Sequence, residues 1–130
     1  MKESPRFLLL TEVYELHQRA LEEHGGCDGV REPGLVESSL ASAENTFWYG
    51  KGDEADVAAA YAFHLAESQA FIDGNKRVGV ATALVFLGMN GFRFPTQDDD
   101  QLFQALIDIS AKRQTKSDLA CLFRSKLKPY

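Results

Sequence analysis

The feature that most constrains the fold is the stretch V-G-V-A-T-A-L-V-F-L at 78–87, which is apolar on every side of a helix. A helix without a polar face has to be buried, because no part of it favours contact with water. The charged pair Lys76-Arg77 precedes the stretch, and Asn90-Gly91 follows it as a helix stop. The sequence therefore predicts a buried central helix from about Lys76 to Asn90.

Three more helices are predicted before this one. Thr11 is a candidate cap for the first, which Gly25-Gly26 closes, and Pro33 suits the first position of the second. Asp53 is a candidate cap for the third helix, which should stop near Gln69. The aromatic and glycine-rich segment 47–53 is interpreted as a loop or a short hairpin.

Two further helices follow. The fifth carries its apolar face from Leu102 to Ile109, and the sixth carries an apolar face from Leu119 to Leu127, with Ser117 as its predicted cap. Residues 92–97 are predicted to be a connector, and strand alternation is weak outside short pieces near 47 and 93. The predicted class is therefore all-α, with about six helices around one central hydrophobic helix.

The length of the chain favours a single domain, 1–130, because two smaller pieces would each bury too little core. The net charge is −5, but residues 112–130 carry six basic residues against one acid. The acidic body, residues 1–111, argues against direct nucleic-acid binding, while the basic tail, residues 112–130, suits a solvated face or an acidic partner.

No apolar run approaches the roughly 18 residues of a membrane span, so we expect a cytoplasmic protein without membrane contact.

The cysteine and histidine content favours neither a disulfide nor a metal site. Cys27 and Cys121 are far apart in the sequence, and the three histidines have unrelated spacings. A structural metal site needs about four ligands at defined spacings. Reduced thiols without a special role are therefore the expectation.

The densest chemistry lies in Q-A-F-I-D-G-N-K-R, residues 69–77, where the central helix begins. A helix N-terminus presents unpaired N–H groups and a positive dipole end, which suit a phosphate. The cations Lys76 and Arg77 oppose that dipole unless an anion binds, and Asp73 is a candidate ligand for phosphate-bound Mg²⁺. The alternative is a simple turn, because Asp-Gly and Gly-Asn pairs favour turns. A P-loop is excluded, since Val80-Ala81 follow Gly79 where lysine and serine or threonine would be needed.

The same nine residues resemble the signature of the Fic/Doc family in its Doc version, H-x-F-x-D-[AG]-N-K-R. Six positions match in order and spacing: Phe71, Asp73, Gly74, Asn75, Lys76 and Arg77. Segments 22–40 and 86–91 also resemble Doc relatives, so the resemblance spans roughly residues 7–127. The resemblance implies the helical Fic/Doc fold. It also favours a phosphate site over a simple turn at residues 69–77.

The resemblance also implies roles for individual residues. Phe71 would anchor the loop in the core, and Asp73 would bind Mg²⁺. Gly74, Asn75 and the start of the following helix would form an anion hole for phosphate. The implied cofactors are therefore ATP and Mg²⁺.

Lys76 and Arg77 are implied to contact nucleotide phosphates. Most Fic proteins transfer AMP and carry glycine at the position of Lys76, whereas Doc proteins carry lysine and transfer the terminal phosphate of ATP to a threonine of elongation factor Tu. Lys76 therefore favours phosphoryl transfer, with AMP transfer as an alternative. The family further implies a toxin–antitoxin module, in which the antitoxin has a disordered segment that folds on binding.

Gln69 departs from the family pattern. At this position the family has a histidine, which accepts the proton of the target hydroxyl. A glutamine amide does not titrate near neutral pH and cannot act as a general base. Loss of the base costs about 10²–10⁴-fold in rate, but phosphoryl transfer depends largely on positioning and electrostatics. Two interpretations of the chain stay open: an enzyme with reduced activity, and a Fic-fold pseudoenzyme that binds nucleotide or a protein partner without catalysis. An engineered substitution at this position also stays open.

Other candidates for the missing base are weaker. His64 shares an apolar stripe with Val57 and Tyr61, which favours a hydrogen-bonded core histidine. His17 and His24 belong to the first helix, and nothing in the sequence brings them to the loop.

Three further residues receive open interpretations. Arg31 is expected either to support the site or to pair with a neighbouring carboxylate. Trp48 and Tyr49 are equally consistent with a lid over a target peptide and with aromatic packing under a loop.

Overall fold

The computed structural model describes residues 4–95 and 99–130, and six α-helices make up most of this part of the chain. In chain order they are α1 (Leu10–His24), α2 (Pro33–Trp48), α3 (Glu54–Ser68), α4 (Asn75–Met89), α5 (Asp99–Ser110) and α6 (Lys116–Lys126). The strand β1 (Phe92–Arg93) pairs antiparallel with β2 (Lys128–Pro129). The predicted all-α class is confirmed.

The core is centred on α4 and α3, which pack along one another. The apolar α4 is buried along one side as predicted, whereas Ala81, Leu84 and Val85 on another side are only half-buried. Helix α3 shares the central position because it also packs against α2, α5 and α6. Six of the buried residues of α3 are alanines, whose small side chains allow neighbouring helices to approach closely. Helices α3 and α4 are close enough at Gly79 that an added Cβ would lie 2.8 Å from the carbonyl oxygen of Ala62.

Tyr61, in the middle of α3, ties the segment before α1 to the core. Its ring is fully buried, and its hydroxyl oxygen accepts a hydrogen bond from the N–H of Leu8 at 3.2 Å. Burial raises the pKa of Tyr61 to about 12. The neutral phenol is therefore the form that the core accepts.

The start of α3 is closed by side chains, as predicted for Asp53. Its carboxylate accepts from the N–H of Asp56 at 2.9 Å, and the carboxylate of Asp56 accepts from the N–H of Asp53 at 3.0 Å. Arg124 of α6 donates to both carboxylates at 2.9 Å. These bonds, above all the one from Arg124, hold the pKa of Asp53 well below its usual range. The capping pair thus also joins α6 to α3.

The predicted caps of α1 and α6 were each wrong by two residues. Helix α1 begins after Leu9 rather than after Thr11, because the carboxylate of Glu12 accepts from the N–H of Leu9 at 2.7 Å. The predicted end of α1 at Gly25 is confirmed.

Helix α6 begins after Thr115 rather than after Ser117. The Thr115 hydroxyl accepts from the N–H of Asp118 at 3.2 Å, and the carboxylate of Asp118 accepts from the N–H of Thr115 at 2.9 Å. In α6, as in α1, an acid three residues after the cap decides where the helix starts.

Segment 47–53 forms no hairpin, because α2 continues to Trp48 and irregular backbone follows as far as Asp53. The predicted strand near residue 93 exists as β1, but its partner β2 was not predicted. Of the predicted connector 92–97, residues 96 and 97 lie outside the described ranges. Within those ranges no helix is long and apolar enough to cross a membrane.

Candidate functional site

The loop between α3 and α4 turns through two left-handed residues. Gln69 closes α3 with φ 56°, and Gly74 precedes α4 with φ 78°. Glycine adopts this conformation without steric cost, whereas a non-glycine residue there is uncommon. The turn brings Gln69 beside the start of α4, where its Oε1 accepts from Nδ2 of Asn75 at 3.5 Å. The Nε2 of Gln69 donates to the carbonyl of Ala66 at 3.2 Å.

Phe71 and Asn75 hold the middle of the loop against the core. Phe71 is fully buried, and Asn75 is 7% exposed. The Asn75 side chain bonds both main-chain groups of Phe71 at 3.0 Å, accepting from its N–H and donating to its carbonyl. Because this side chain is bonded to Phe71 and Gln69, the main-chain N–H is the group that Asn75 has left for the predicted anion hole.

Asp73 lies exposed at the tip of the loop. Its Oδ1 accepts from the N–H of Gly74 at 2.9 Å, and its Oδ2 accepts from the N–H of Cys27 at 3.2 Å. The segment after α1 passes so close that a Cβ on Gly26 would lie 2.8 Å from Oδ2. Each oxygen keeps a lone pair for a further partner. The carboxylate is therefore oriented by main-chain donors and still accessible.

No side chain of residues 4–95 or 99–130 caps the start of α4. Within the described residues, the N–H groups of Asn75, Lys76 and Arg77 have no hydrogen-bond acceptor, and the first bond at this end runs from Val78 to the carbonyl of Gly74. The side chains of Lys76 and Arg77 are half-buried beside them. Three donors without an acceptor among the described residues, and two cations at a positive dipole end, have the chemistry that favours an anion.

A cleft of about 260 Å³ opens at this helix start, lined by residues 72–77 together with Gln69 and Phe103. The guanidinium of Arg77 lies over the ring of Phe103, 3.7 Å from its centre, which is a cation–π contact. Arg77 also borders a larger cleft of about 490 Å³ between α1, α4 and the start of α5. The cation is therefore held at the junction of two clefts.

Residues 29–32 line one side of the loop as a short antiparallel bridge. The N–H of Arg31 donates to the carbonyl of Ala70 at 2.7 Å, and the N–H of Ile72 donates to Gly29 at 3.0 Å. Val30 pairs with Phe71 between these bonds. The side chain of Arg31 is exposed and forms no ion pair within the described residues. Arg31 thus supports the loop through its main chain.

Three other residues were considered from the sequence, His64, Trp48 and Tyr49, and they lie outside the loop between α3 and α4. The ring of His64 is half-buried, with its Nε2 3.5 Å from Nζ of Lys116, and its pKa is lowered by burial and by that ammonium. Trp48 packs on Phe47 at 4.9 Å between ring centres and is 55% exposed. Tyr49 is 82% exposed.

Sequence reasoning missed two residues of the site, His17 and Phe103. The expectation that nothing brings His17 to the loop was wrong. Its Nε2 lies 2.8 Å from the carbonyl oxygen of Asp73, and its ring stacks on Phe71 at 3.8 Å. The available signal was its place on the buried face of α1 between Val13 and Ala20. For Phe103 the sequence offers no comparable signal.

Comparison with known proteins supplies the class. The model of the Fic/DOC family matches residues 7–87, which is more than half of the chain and includes the whole loop. The helical fold and the motif agree with that match, and this chain belongs to the Fic/Doc family.

Two relatives make the chain Doc-like within that family. It is 32% identical over 81 residues to the protein kinase Doc of Escherichia phage P1, an alignment that covers 62% of this chain and 64% of the phage protein. It is 33% identical over 99 residues to the toxin Doc of Mycolicibacterium smegmatis strain ATCC 700084, covering 72% of this chain and 74% of that toxin.

Proposed function

We propose that this protein is a Doc-like toxin of a toxin–antitoxin module, which binds Mg²⁺–ATP at the start of α4 and transfers phosphate to a protein hydroxyl slowly. The observation that carries the proposal is the uncapped helix start, with its N–H groups free of partners in the described residues and with Lys76 and Arg77 beside it. Bound phosphate oxygens would accept those hydrogen bonds and balance both cations.

The residues present fit the magnesium ion that such a reaction uses. No group of three or more acidic, histidine or cysteine side chains in the described ranges could hold a metal by itself. Mg²⁺ in nucleotide sites needs only one or two carboxylates, with phosphate oxygens and waters as its other ligands. Asp73, exposed and oriented at both oxygens, meets that need. The ion would neutralise charge on the phosphates when bound.

The transferred group is proposed to be the terminal phosphate. Lys76 occupies the position that distinguishes Doc-type from AMP-transferring Fic motifs, and one relative is itself named a protein kinase. The proposed target is a hydroxyl of elongation factor Tu, as the resemblance implies. Transfer of AMP is the alternative within the same site.

Gln69 sets the expected rate. The side-chain amide of Gln69 cannot take the proton of the target hydroxyl, because an amide is not a base near neutral pH. Its Nε2 is bonded to the carbonyl of Ala66. Binding and alignment remain to be supplied by the rest of the loop, so turnover should be slower by about 10²–10⁴-fold than with a histidine. The same observation favours a second candidate, a pseudoenzyme that binds nucleotide without transfer.

The proposed partner is an antitoxin. One relative is named a toxin, and the family implies an antitoxin whose disordered segment folds along the toxin. A segment of that kind orders only on binding, so it can cover a wide surface at modest affinity per unit area.

The test restores the base. Histidine is one of the residues enriched in the left-handed conformation of Gln69, so Gln69→His suits the backbone. Both chains are incubated with Mg²⁺–ATP and a bacterial lysate, and modified proteins are identified by mass spectrometry. We expect Gln69→His to modify a hydroxyl about 10²–10⁴-fold faster than the unmodified chain. The added mass distinguishes phosphate from AMP.

The matched control combines Gln69→His with Asp73→Ala, which keeps the base and removes the proposed metal ligand. It should abolish the restored activity. If Gln69→His is inert while the folded protein binds Mg²⁺–ATP, the chain is a binder and the proposed transfer is wrong.

A further inference from the structure

His17 is a buried polar residue that the proposed reaction does not use. It is 1% exposed, and its Nε2 lies 2.8 Å from the carbonyl oxygen of Asp73, which is 56 positions later in the chain. A carbonyl oxygen only accepts hydrogen bonds, so Nε2 carries the hydrogen and donates it. Stacking on Phe71, with ring planes 18° apart, fixes the imidazole for this bond.

The bond from His17 reaches the Asp73 carboxylate through a single peptide unit. In a planar trans peptide the C=O and N–H groups point in opposite directions. With the Asp73 carbonyl directed at α1, the following N–H, that of Gly74, points away from α1. There it donates to Oδ1 of Asp73 at 2.9 Å. The direction of the carbonyl therefore determines where the N–H of Gly74 holds Oδ1, while the N–H of Cys27 holds Oδ2.

We infer that His17 is the positioning residue of Asp73, and that its hydrogen bond keeps the carboxylate turned towards the start of α4 for Mg²⁺. The inference rests on the proposed function, because it assigns to His17 a share in the metal affinity of that site. Partners that orient a metal ligand typically contribute about 10–100-fold to metal affinity. His17 itself touches neither metal nor nucleotide.

Two substitutions separate the hydrogen bond from the packing. His17→Phe keeps a ring on Phe71 and loses the donor, whereas His17→Gln keeps an N–H donor near the Nε2 position and loses the ring. The readout is the ratio of the ATP dissociation constants measured by calorimetry without and with Mg²⁺. We expect His17→Phe to reduce this Mg²⁺ enhancement about 10–100-fold and His17→Gln to retain most of it.

A purely structural role would weaken ATP binding in both conditions and leave the ratio unchanged. Tyr14→Leu is the control for packing, because Tyr14 also contacts Phe71, edge-on at 5.9 Å between ring centres, and forms no bond to Asp73. It should lower the melting temperature and keep the ratio. An unchanged ratio in His17→Phe would overturn the inference and leave the proposed function standing.

The unmodified chain provides a readout that does not depend on a folded variant. In ¹⁵N NMR spectra Nε2 of His17 should carry the hydrogen, and its resonance should shift when Mg²⁺ is added to the ATP complex. Hydrogen on Nδ1 alone would overturn the inference. An unmodified chain that binds ATP equally with and without Mg²⁺ would contradict the proposed function together with it.

Discussion

Helices α3 and α4 lie side by side in the core and begin in opposite ways. The start of α3 is closed by Asp53 and Asp56, and Arg124 donates hydrogen bonds to both carboxylates. The start of α4 follows a glycine, has no side-chain cap from the described part of the chain and carries Lys76 and Arg77 in its first turn. Acids near a helix N-terminus are stabilising and cations are destabilising.

The difference shows what each helix start contributes. The first turn of α3 stabilises the fold and joins α6 to the core. The first turn of α4 is less stable because of its cations, and its N–H groups have no acceptor among the described residues. An anion bound at α4 would supply the charge that Asp53 and Asp56 supply at α3. We therefore expect substitutions at α4 to change ligand affinity and substitutions at α3 to change stability.

The largest effect is expected when α4 is made to resemble α3. Lys76→Glu places an acid in the first turn of α4, where it repels the phosphates and removes a charged donor. A hydrogen bond to a charged group is worth about 1.5–3 kcal/mol, so affinity for Mg²⁺–ATP should fall about 10–100-fold. The same change should raise the free energy of unfolding by about 0.3–1 kcal/mol. Calorimetry and urea titration measure the two effects.

Lys116→Glu is the matched control, because Lys116 lies in the first turn of α6, which Thr115 already caps. It should leave Mg²⁺–ATP affinity unchanged. Equal loss of affinity in the two variants would mean that the effect comes from overall charge, and the contrast between helix starts would not hold.

A smaller effect is expected when the start of α3 loses its cation. Arg124→Ala should lower the free energy of unfolding near pH 7 by up to about 1 kcal/mol, since the pair is partly exposed. The folded pKa of Asp53 lies below that of an unfolded aspartate, which is about 3.9. The stabilisation is therefore complete above about pH 4 and is lost as the pH falls towards the folded pKa. The melting temperatures of the two chains should therefore approach each other as the pH falls below about 4.

Arg19→Ala provides the comparison for an exposed pair, because Arg19 contacts Glu15 one turn away on α1 at 3.3 Å. Its cost should be about 0.3–0.5 kcal/mol. If the unmodified chain and Arg124→Ala differed by the same amount at every pH, the account of Asp53 would be wrong.

The sequence predicted the helices well where local signals act. The Asp53 cap, Pro33 and Gly25 mark their positions through short-range chemistry, and the apolar run of α4 requires burial. The start of α1 was misplaced because its N-cap residue, Leu9, is apolar and resembles no cap. The start of α6 was misplaced because Thr115 and Ser117 both suit a cap. Only one strand of the pair was predicted, because two-residue strands show no periodicity.

The site was predictable as a segment and not as a three-dimensional arrangement. Residues 69–77 stood out because their chemistry is dense and their spacing matches a family motif. The contacts of His17 with Asp73 and of Arg77 with Phe103 depend on how α1 and α5 pack against α4. The inward turn of Asn75 also follows from the fold, because its partner Phe71 is buried four residues earlier. The assigned roles in binding and transfer stay predictions.

The most direct test of the central claim is a titration of the ¹⁵N-labelled protein with Mg²⁺–ATP, followed by amide NMR. We expect the largest shifts at the N–H groups of residues 75–77, which have no acceptor among the described residues. Shifts at 54–56 should be negligible, because the capping box closes the start of α3. Unchanged amides at 75–77 under saturating Mg²⁺–ATP would contradict the assignment of this helix start as the phosphate site.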